Sequence, residues 1–276
     1  MITSVHNEQV KYVTSLHHNK GRKESGEYLI EGKRFVYEAL TREAPVKKIY
    51  FVSSMKLPNQ EIFNQETTAD IPGLVDRASS LGIPVEEVSE TVLKKMSTTE
   101  EPQGILGIVK KISFSWQDIT AGDNSIMLVI DGIKDPGNLG TILRTALAAD
   151  VKHIILTKGT VDLYNPKVLR SSMGAIFSQA ILSEKTPEEV VDFCLQRHIM
   201  LAVSTMEGDS IFKENIRDHD PLALIIGNEA FGPSEYFLKK AAKRYSIPMY
   251  NNVESLNAAM AAGIFLYELR RQVQFL

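Results

Sequence analysis

The sequence predicts an α/β protein: a mostly parallel C-terminal sheet with helices on both faces, preceded by a small α/β domain. From residue 126 onward, short apolar runs alternate with segments of helical period, a pattern typical of a parallel sheet buried on both sides. With 276 residues, 43% of them hydrophobic, the chain is long enough for two domains. We therefore expect a small domain over 1–112, a polar, turn-prone linker over 113–124 and a sheet domain over 125–276.

The small domain is predicted to mix helices and strands. Helical periodicity indicates helices near 7–18, 32–42, 74–81 and 90–96. Short runs of apolar and β-branched residues indicate strands at 28–30, 48–52, 84–86 and 105–109.

The sheet domain is predicted to alternate between strands and helices. The strand candidates are 126–131, 153–157, 176–182, 200–204, 222–226 and 245–248. The helix candidates are 140–149, 166–173, 187–198, 234–243 and 255–273.

Charge is unevenly distributed along the chain. The formal net charge is -3, which argues against a uniformly basic nucleic-acid-binding surface, yet residues 1–56 contain ten Lys or Arg and six acids. Within this stretch, Lys20-Gly21-Arg22-Lys23 is a candidate phosphate-contacting loop, because flexible cations release counterions from a polyanion. The alternative is a solvated turn with ordinary surface charge.

Several classes of protein fit the sequence poorly. The single cysteine, Cys194, rules out an internal disulfide and suits a reducing compartment, and no apolar run approaches the length of a membrane span or signal peptide. There is no dinucleotide-binding glycine motif after the first strand, no phosphate-binding P-loop and no nucleophile elbow. The histidines show no zinc-binding spacing. We expect a soluble, cytoplasmic protein that uses no metal and contacts no membrane.

The first informative segment is 135–144. It follows the apolar strand 127–130 and opens a helix, whose first-turn N–H groups suit an anion. Arg144 lies about one turn beyond this loop, so its guanidinium is expected to reach the same phosphate or ribose. The alternative is that Asn138 or Thr141 merely caps the helix and that Arg144 is an exposed helical cation.

The second segment is Gly227-Asn228-Glu229, which follows the buried-strand candidate 222–226. A glycine at this point allows a ligand to approach the backbone closely. The Glu229 carboxylate is suited to orienting a catalytic arginine or to accepting hydrogen bonds from ribose hydroxyls. It is equally suited to complementing the dipole of a helix that begins near Pro233.

The third segment runs from Ile247-Pro248-Met249 to Ser255-Leu256-Asn257 and leads into an Ala- and Gly-rich helix. Pro248 ends the strand, Ser255 is a natural N-cap, and Asn257 is expected in the first helical turn. A plain capped helix would explain Ser255, but not Asn257 followed by so many small residues.

Taken in order, these segments resemble the three motifs of the SpoU (TrmH-like) family of RNA ribose 2′-O-methyltransferases, which belongs to the knotted SPOUT class of S-adenosylmethionine enzymes. Asn138-x-Gly140-x-x-x-Arg144 is similar to the first motif, and the Gly227 and Ile247 segments to the second and third. Residues 5–42 resemble the substrate-binding domain that many members carry in front, through Asn7, Lys11, Lys20, Arg22, Glu31-Gly32 and Arg34.

The resemblance implies a deep trefoil knot in the sheet domain, an exception to the rule against knots. It also implies a homodimer in which the catalytic arginine lies close to the partner's donor site. Residues implied to bind S-adenosylmethionine are Ile226, Gly227, Ile247, Met249 and Leu256. Residues implied to bind RNA are Lys20, Arg22, Lys23 and Arg34, with ribosomal RNA favoured over transfer RNA.

The resemblance nominates Arg144 as the central catalytic residue. An arginine stays protonated at neutral pH and is therefore a poor base, so we expect it to orient and stabilise the reacting groups while the substrate phosphate or a water chain takes the proton. Asn138 is expected to position the ribose or Arg144, and Glu229 to orient the arginine network. Ser255 and Asn257 are expected to complete the site.

Two departures from the family pattern concern the loops. Ala230 stands where many members have glycine, and Tyr250-Asn251-Asn252 stands where a glycine often follows Ile-Pro-Met. These changes are expected to alter target choice rather than reaction class. Two other interpretations stay open: a catalytically silent RNA-binding or ribosome-assembly factor with the same fold, and an enzyme for a small nucleotide that does not need residues 1–112.

Overall fold

The computed structural model describes residues 1–53, 70–120, 122, 125–213, 221–251 and 253–274. The chain divides into two compact units. Unit 1 consists of Met1–Ile112 with Tyr164–Arg170, and unit 2 of Ser113–Leu163 with Ser171–Leu276. Lys56, part of the basic leading stretch, and residues 121, 123 and 124 of the predicted linker lie outside the described residues.

Unit 1 is built on a four-stranded mixed sheet. Its strands are β1 (Glu27–Glu31), β2 (Val46–Phe51), β3 (Val85–Glu87) and β4 (Ile105–Lys110), in the order β1-β4-β2-β3. Strand β4 is antiparallel to both neighbours, and β2 is parallel to β3. The helices are α1 (Glu8–Ser15), α2 (Asn19–Ser25), α3 (Lys33–Thr41), α4 (Ile71–Ser80) and α5 (Glu90–Met96). This confirms the small α/β domain.

The segment predicted as a phosphate-contacting loop, 20–23, lies instead in helix α2. The Arg22 side chain is buried, with 3% of its surface exposed. Its Nη1 donates to the carbonyl oxygens of Leu16 (2.9 Å) and His17 (2.7 Å), which follow the end of α1. The loop prediction is therefore wrong, because the Arg22 guanidinium holds α2 against the preceding turn.

Unit 2 is built on a six-stranded sheet that is parallel throughout. Its strands are β5 (Ile126–Asp131), β6 (His153–Thr157), β7 (Ala180–Lys185), β8 (Met200–Ser210), β9 (Leu222–Gly227) and β10 (Lys243–Ser246). Their order is β10-β8-β9-β5-β6-β7. The helices are α6 (Pro136–Ala148), α7 (Pro166–Ser172), which begins in unit 1, α8 (Pro187–Gln196), α9 (Glu235–Lys240) and α10 (Ala258–Gln274).

The predicted α/β class and parallel sheet are confirmed, with local corrections. The strand predicted at 176–182 begins as a 3-10 turn over Ala175–Ser178, and β7 starts only at Ala180. The strand predicted at 245–248 ends at Ser246, two residues before Pro248. Strand order alone does not trace the threading of the chain, so the trefoil knot stays a prediction. Among the described residues, no helix is long and apolar enough to cross a bilayer.

The stretch predicted as a linker, 113–124, belongs to unit 2, and part of its described length packs into that unit. Ile119 is buried in the apolar core of that unit. The ring of Trp116 stacks on Phe193 of α8, with 4.6 Å between centroids. The boundaries of the predicted domains remain predictions.

The point of the sheet that matters for function is the pair β5 and β9. Both strands are buried at every residue, and Asp131 at the end of β5 lies opposite Gly227 at the end of β9. After β5 the chain adds β6 and β7 on one side, and later returns to place β9 on the other. In open parallel sheets, ligands bind outside the carboxyl ends of strands at such a switch point.

Asp131 joins the elements that meet at this edge. Its side chain is buried, and its carboxylate accepts hydrogen bonds from Thr157 Oγ1 of β6 and from the Ser234 backbone N–H, both at 2.7 Å. A buried carboxylate requires such partners, because desolvation of an unpaired charge is costly. Asp131 therefore ties the ends of β5 and β6 to the segment that follows β9.

Candidate active site

Asn138 lies in the first turn of α6 with its side chain available for contacts. The helix begins at Pro136, and the N-cap is Asp135, whose Oδ1 accepts the Asn138 backbone N–H at 2.8 Å. The alternative that Asn138 or Thr141 caps this helix is therefore wrong, because Asp135 already fills that position.

Asn257 caps the last helix and also contacts Asn138. Its Oδ1 accepts the backbone N–H groups of Ala259 (2.9 Å) and Met260 (3.3 Å), while its Nδ2 donates to Asn138 Oδ1 at 2.9 Å. Because Asn257 fills the N-cap of α10, the predictions that Ser255 is the cap and that Asn257 lies in the first turn are wrong. Ser255 is exposed and has no hydrogen bond within the described chain.

Glu229 completes a three-residue relay, Asn257 to Asn138 to Glu229. Asn138 Nδ2 donates to Glu229 Oε1 at 2.9 Å. The relay has one direction, because helix N–H groups at one end can only donate and a carboxylate at the other end can only accept. The two ends therefore fix which side of the Asn138 and Asn257 amides carries the oxygen and which carries the N–H groups. The relay leaves Glu229 Oε2 and one N–H of Asn138 available to a ligand.

A short loop over 228–232 carries Glu229. Backbone hydrogen bonds join Asn228 and Gly232 in both directions, at 3.0 and 2.8 Å. Asn228 Oδ1 accepts the N–H groups of Ala230 and Phe231, and its Nδ2 donates to the Gly132 carbonyl after β5 at 2.8 Å. The 228–232 loop is therefore held both internally and to the neighbouring strand.

Gly227 is required for a reason different from the one predicted. A Cβ at this position would lie 2.0 Å from the Pro233 nitrogen and 2.1 Å from the Gly232 carbonyl carbon. These are backbone atoms that cannot swing aside. The close approach that needs a glycine is thus made by the chain itself as the 228–232 loop closes over the end of β9.

Arg144 is not part of the relay. Its side chain is exposed, and it makes no hydrogen bond or ion pair within the described chain, so Glu229 contacts Asn138 rather than an arginine. The structure thus brings together Asn138, Glu229 and Asn257, and leaves Arg144 and Ser255 apart from them.

The residues predicted to bind a cofactor lie around the ends of β9 and β10. Ile226 and Gly227 are buried, Ile247 and Met249 are half-buried, and Leu256 is exposed. The backbone N–H groups of Ser255 and Leu256 have no partner within the described chain. Open backbone donors beside apolar side chains are the combination that an adenine and a ribose require, so these residues fit such a group.

Ala230 and Tyr250, which belong to the two departures from the family pattern, lie where the backbone does not need glycine, whereas Asn251, next to Tyr250, is left-handed. Neither Ala230 nor Tyr250 has a positive φ; the left-handed positions are Gly232 (φ 69°) and Asn251 (φ 56°). Asparagine tolerates this conformation better than most residues. Asn252 lies outside the described residues.

Unit 1 presents cations at its surface. Lys20, Lys23 and Arg34 are exposed, whereas the buried Arg22 is unavailable to a ligand. A surface cleft of about 280 Å³ lies between the helices and is lined by Val5, Lys11, Thr14, Ser15, His18 and Lys95. The sequence did not single out Lys95, because the cleft forms only when α5 packs on α1.

Glu31 organises the end of β1 in the same unit. Its carboxylate accepts the Thr98 backbone N–H (3.0 Å) and the hydroxyls of Thr98 (2.9 Å), Thr99 (2.5 Å) and Ser97. Gly32 follows with φ 97° and starts α3, whose first turn carries Arg34. The sequence did not indicate the 97–99 segment, whose role depends on distant Glu31.

Among the described residues, no group of three His, Cys, Asp or Glu side chains gathers into an arrangement that could hold a metal ion.

Comparison with known proteins identifies this architecture. Residues 125–267 match the model of the SpoU rRNA Methylase family, and residues 7–107 match the MRM3-like substrate binding domain. The fold is that of a SpoU-type methylase, and the chain belongs to the SpoU rRNA Methylase family. Within that family it has the two-part form, in which a substrate-binding domain precedes the methylase domain.

Individual relatives cover nearly the whole chain. A tRNA/rRNA methyltransferase of Synechocystis is 34% identical over 98% of this chain and 93% of its own length. The 23S rRNA (guanosine(2553)-2′-O)-methyltransferase RlmP of Bacillus subtilis is 32% identical over 98% of both chains. The structure of an AdoMet-bound rRNA methyltransferase from Sinorhizobium meliloti is similar, with a TM-score of 0.83 and 28% identity over 98% of this chain and 97% of that one.

The double role of Asn257 can be separated by substitution. We expect Asn257→Asp to keep the free energy of unfolding close to that of the wild type, because aspartate caps helices well and its charge complements the helix dipole. Asn257→Ala is expected to lower it by about 1 kcal/mol, since the cap is lost. Urea unfolding monitored by circular dichroism measures both. Equal destabilisation by the two variants would contradict the assignment of Asn257 as the cap.

Proposed function

We propose that this protein transfers a methyl group from S-adenosylmethionine to a ribose 2′-OH of RNA, with ribosomal RNA as the substrate class and the cytoplasm as its location. The observation that carries the proposal is the Asn257–Asn138–Glu229 relay at the switch point of a SpoU-family sheet. The 2′-O-methylation of 23S rRNA by the Bacillus subtilis relative supports the reaction and the substrate class.

The relay positions the reacting hydroxyl. Asn138 is held by hydrogen bonds on both sides, so its free N–H has a fixed direction from which it meets a ribose oxygen. Glu229 retains one carboxylate oxygen, which accepts a hydrogen bond from a ribose hydroxyl. Preorganised groups of this kind lower the barrier by holding the nucleophile in its attack geometry.

Arg144 acts as a charge rather than as a base. A guanidinium stays protonated at neutral pH, so it stabilises negative charge that develops on the ribose oxygen and orients the adjacent phosphate. The reacting hydroxyl donates to Glu229 before the reaction, and its proton passes to the substrate phosphate or to a water chain as the ribose oxygen bonds to the methyl carbon.

The donor occupies the loops that follow β9 and β10. Ile247, Met249 and Leu256 would pack against its adenine, and backbone groups of Ile226, Gly227 and the 255–256 segment would hydrogen-bond its polar edge. When bound, S-adenosylmethionine supplies a methyl group on a positively charged sulfur, and the C–S bond breaks as the ribose oxygen bonds to the methyl carbon.

The protein acts as a homodimer through α6 and α10. The exposed face of α10 carries Met260 (62% exposed) and Tyr267 (54% exposed), which are seven residues apart and therefore lie on one side of the helix. Exposed apolar side chains aligned in this way mark an interaction surface. The arrangement accounts for Arg144, which has no partner within the described chain and completes the site of the partner subunit.

Unit 1 docks the RNA. One cleft is lined by Lys11, Lys95 and His18, and further exposed cations are Lys20, Lys23 and Arg34. Binding of RNA phosphates to these cations releases counterions from the RNA, which favours association. Arg22, which was predicted to take part, is instead a structural residue.

The proposed reaction is tested by mapping 2′-O-methyl groups in RNA from wild-type and gene-deletion strains, together with calorimetric titration of the protein with S-adenosylmethionine. We expect one ribose mark to disappear in the deletion strain and to return when the purified protein and donor are added to that RNA. Donor binding without any change in marks would favour the alternative of a silent RNA-binding factor. Loss of a transfer RNA mark alone would correct the substrate class.

Arg144→Ala is expected to lower the rate of methyl transfer by about 100-fold or more, because one charge-stabilising group is removed from the transition state. The affinity for S-adenosylmethionine, measured by calorimetry, is expected to stay within a few-fold of wild type. Arg197→Ala, an exposed arginine at the end of α8, serves as the matched control and should leave the rate unchanged.

Mixed dimers test whether Arg144 serves the partner's site. Arg144→Ala protein is mixed with Leu256→Asp protein, which keeps Arg144 but is expected to bind no donor. Transfer should recover on mixing if Arg144 acts across the interface. Equal loss of donor binding and transfer in Arg144→Ala alone would mean that its role is misassigned.

Replacing both Lys11 and Lys95 by glutamine is expected to weaken RNA binding and to reduce the slope of log affinity against log salt by about one per lysine. Filter binding at several salt concentrations measures both quantities. Lys110→Gln at the end of β4 is the control and should change neither. Arg22→Gln should lower the free energy of unfolding instead. If Lys110→Gln weakened RNA binding as much as the double substitution, the proposal that the cleft binds RNA would be wrong.

A further inference from the structure

Phe231 is the most exposed large apolar side chain among the described residues, with 90% of its surface open to solvent. Burying a phenylalanine normally contributes to folding, and this ring contributes almost nothing because most of its surface stays in solvent. It does not lie on a loose segment. It belongs to the 228–232 loop, which is closed by hydrogen bonds in both directions between Asn228 and Gly232.

The Phe231 backbone is held in the same network that presents Glu229. Its N–H donates to Asn228 Oδ1 at 3.3 Å, and Asn228 is in turn bonded to the Gly132 carbonyl at the end of β5. Glu229, two residues earlier on the loop, contacts Asn138. Phe231 and Glu229 are two residues apart, so their Cα atoms lie at most about 7 Å from each other.

From this geometry we infer that Phe231 is a positioning residue for the target nucleotide, whose unstacked base lies on its ring. The inference rests on the proposed function, because it places the base of the nucleotide whose ribose meets Asn138 and Glu229. Bases of single-stranded RNA are commonly held by stacking on aromatic side chains. Such stacking tolerates any base, since every base has an apolar face.

The charge beside Phe231 favours a nucleotide over other occupants. A lipid surface or an apolar protein face that covered the ring would also cover the Glu229 carboxylate, and desolvating that charge without a partner is costly. A nucleotide avoids this conflict, because its base covers the ring while its ribose 2′-hydroxyl donates to the carboxylate. The 228–232 loop thus matches the two chemical halves of one nucleoside.

Three substitutions separate stacking from bulk. Phe231→Ala removes the ring, Phe231→Leu keeps apolar volume without a π face, and Phe231→Trp enlarges the π face. Because the ring is exposed, none should change the free energy of unfolding by more than about 0.5 kcal/mol. The matched control is Leu195→Ala on α8, another exposed apolar side chain, with 63% of its surface open.

The experiment measures KM for RNA, kcat and donor affinity for each variant, with the RNA fragment that the wild-type protein methylates. Phe231→Ala is expected to raise KM for RNA about 5- to 150-fold, the range that corresponds to about 1–3 kcal/mol of base stacking. Phe231→Leu should resemble Phe231→Ala, and Phe231→Trp should retain wild-type KM. Donor affinity should be unchanged in all three, and Leu195→Ala should behave as wild type.

The outcomes that overturn the inference differ from those that overturn the proposed function. If the wild-type protein neither binds S-adenosylmethionine nor methylates RNA, the proposed function fails and the inference fails with it. If the wild type methylates RNA and Phe231→Ala has an unchanged KM, only the inference fails. If Phe231→Ala converts a dimer to a monomer in sedimentation experiments, the ring belongs to a contact between two copies of this chain, and the inference is also wrong.

Discussion

The site depends on the hydrogen bonds that the buried carboxylate of Asp131 accepts. It ends β5, accepts a hydroxyl from β6 and accepts a backbone N–H from the segment after β9, so three consecutive parts of the sheet edge share one acceptor. A charge-assisted hydrogen bond to a buried group is stronger than a neutral one, and its loss leaves the donors unpaired. The 228–232 loop is therefore held at three places. Asp131 binds the Ser234 N–H just after it, Gly227 packs against its closing residues, and Asn228 bonds to the Gly132 carbonyl.

The relay links two helices that are far apart in sequence and fixes the side chains at their N-termini relative to each other. Helix α6 provides Asn138 and helix α10 provides Asn257, and these two helices also pack against each other. A single amide at the N-cap of α10 satisfies the end of that helix and at the same time fixes the direction of the next amide. The cap of α10 and the orientation of the relay thus depend on one side chain, Asn257.

The sequence predicted the fold class, the parallel sheet and the position of all three motifs, because burial on both faces of a strand and the ends of parallel strands leave local patterns. It did not predict the roles of residues that depend on distant contacts. Arg22 has the sequence pattern of a surface cation, but its guanidinium is buried against carbonyl oxygens of the turn before α2. Gly21 is needed there as well, since a Cβ would lie 2.2 Å from the Ser15 carbonyl oxygen. Asp131 and Lys95 carried no local signal for the same reason.

The strand order has a consequence for how the protein is made. Strand β9, which carries Gly227 and leads into the 228–232 loop, lies between β5 and β8, and both of these strands precede it in the chain. Its place between them must stay open until residues 222–227 have been synthesised. During that interval β5 presents an unpaired edge and β8 has no partner at all, because its other neighbour, β10, also follows later. Unpaired strand edges are surfaces on which other chains readily add strands. The middle of the sheet, where Gly227 and the 228–232 loop lie, is therefore completed by one of the last strands to be synthesised.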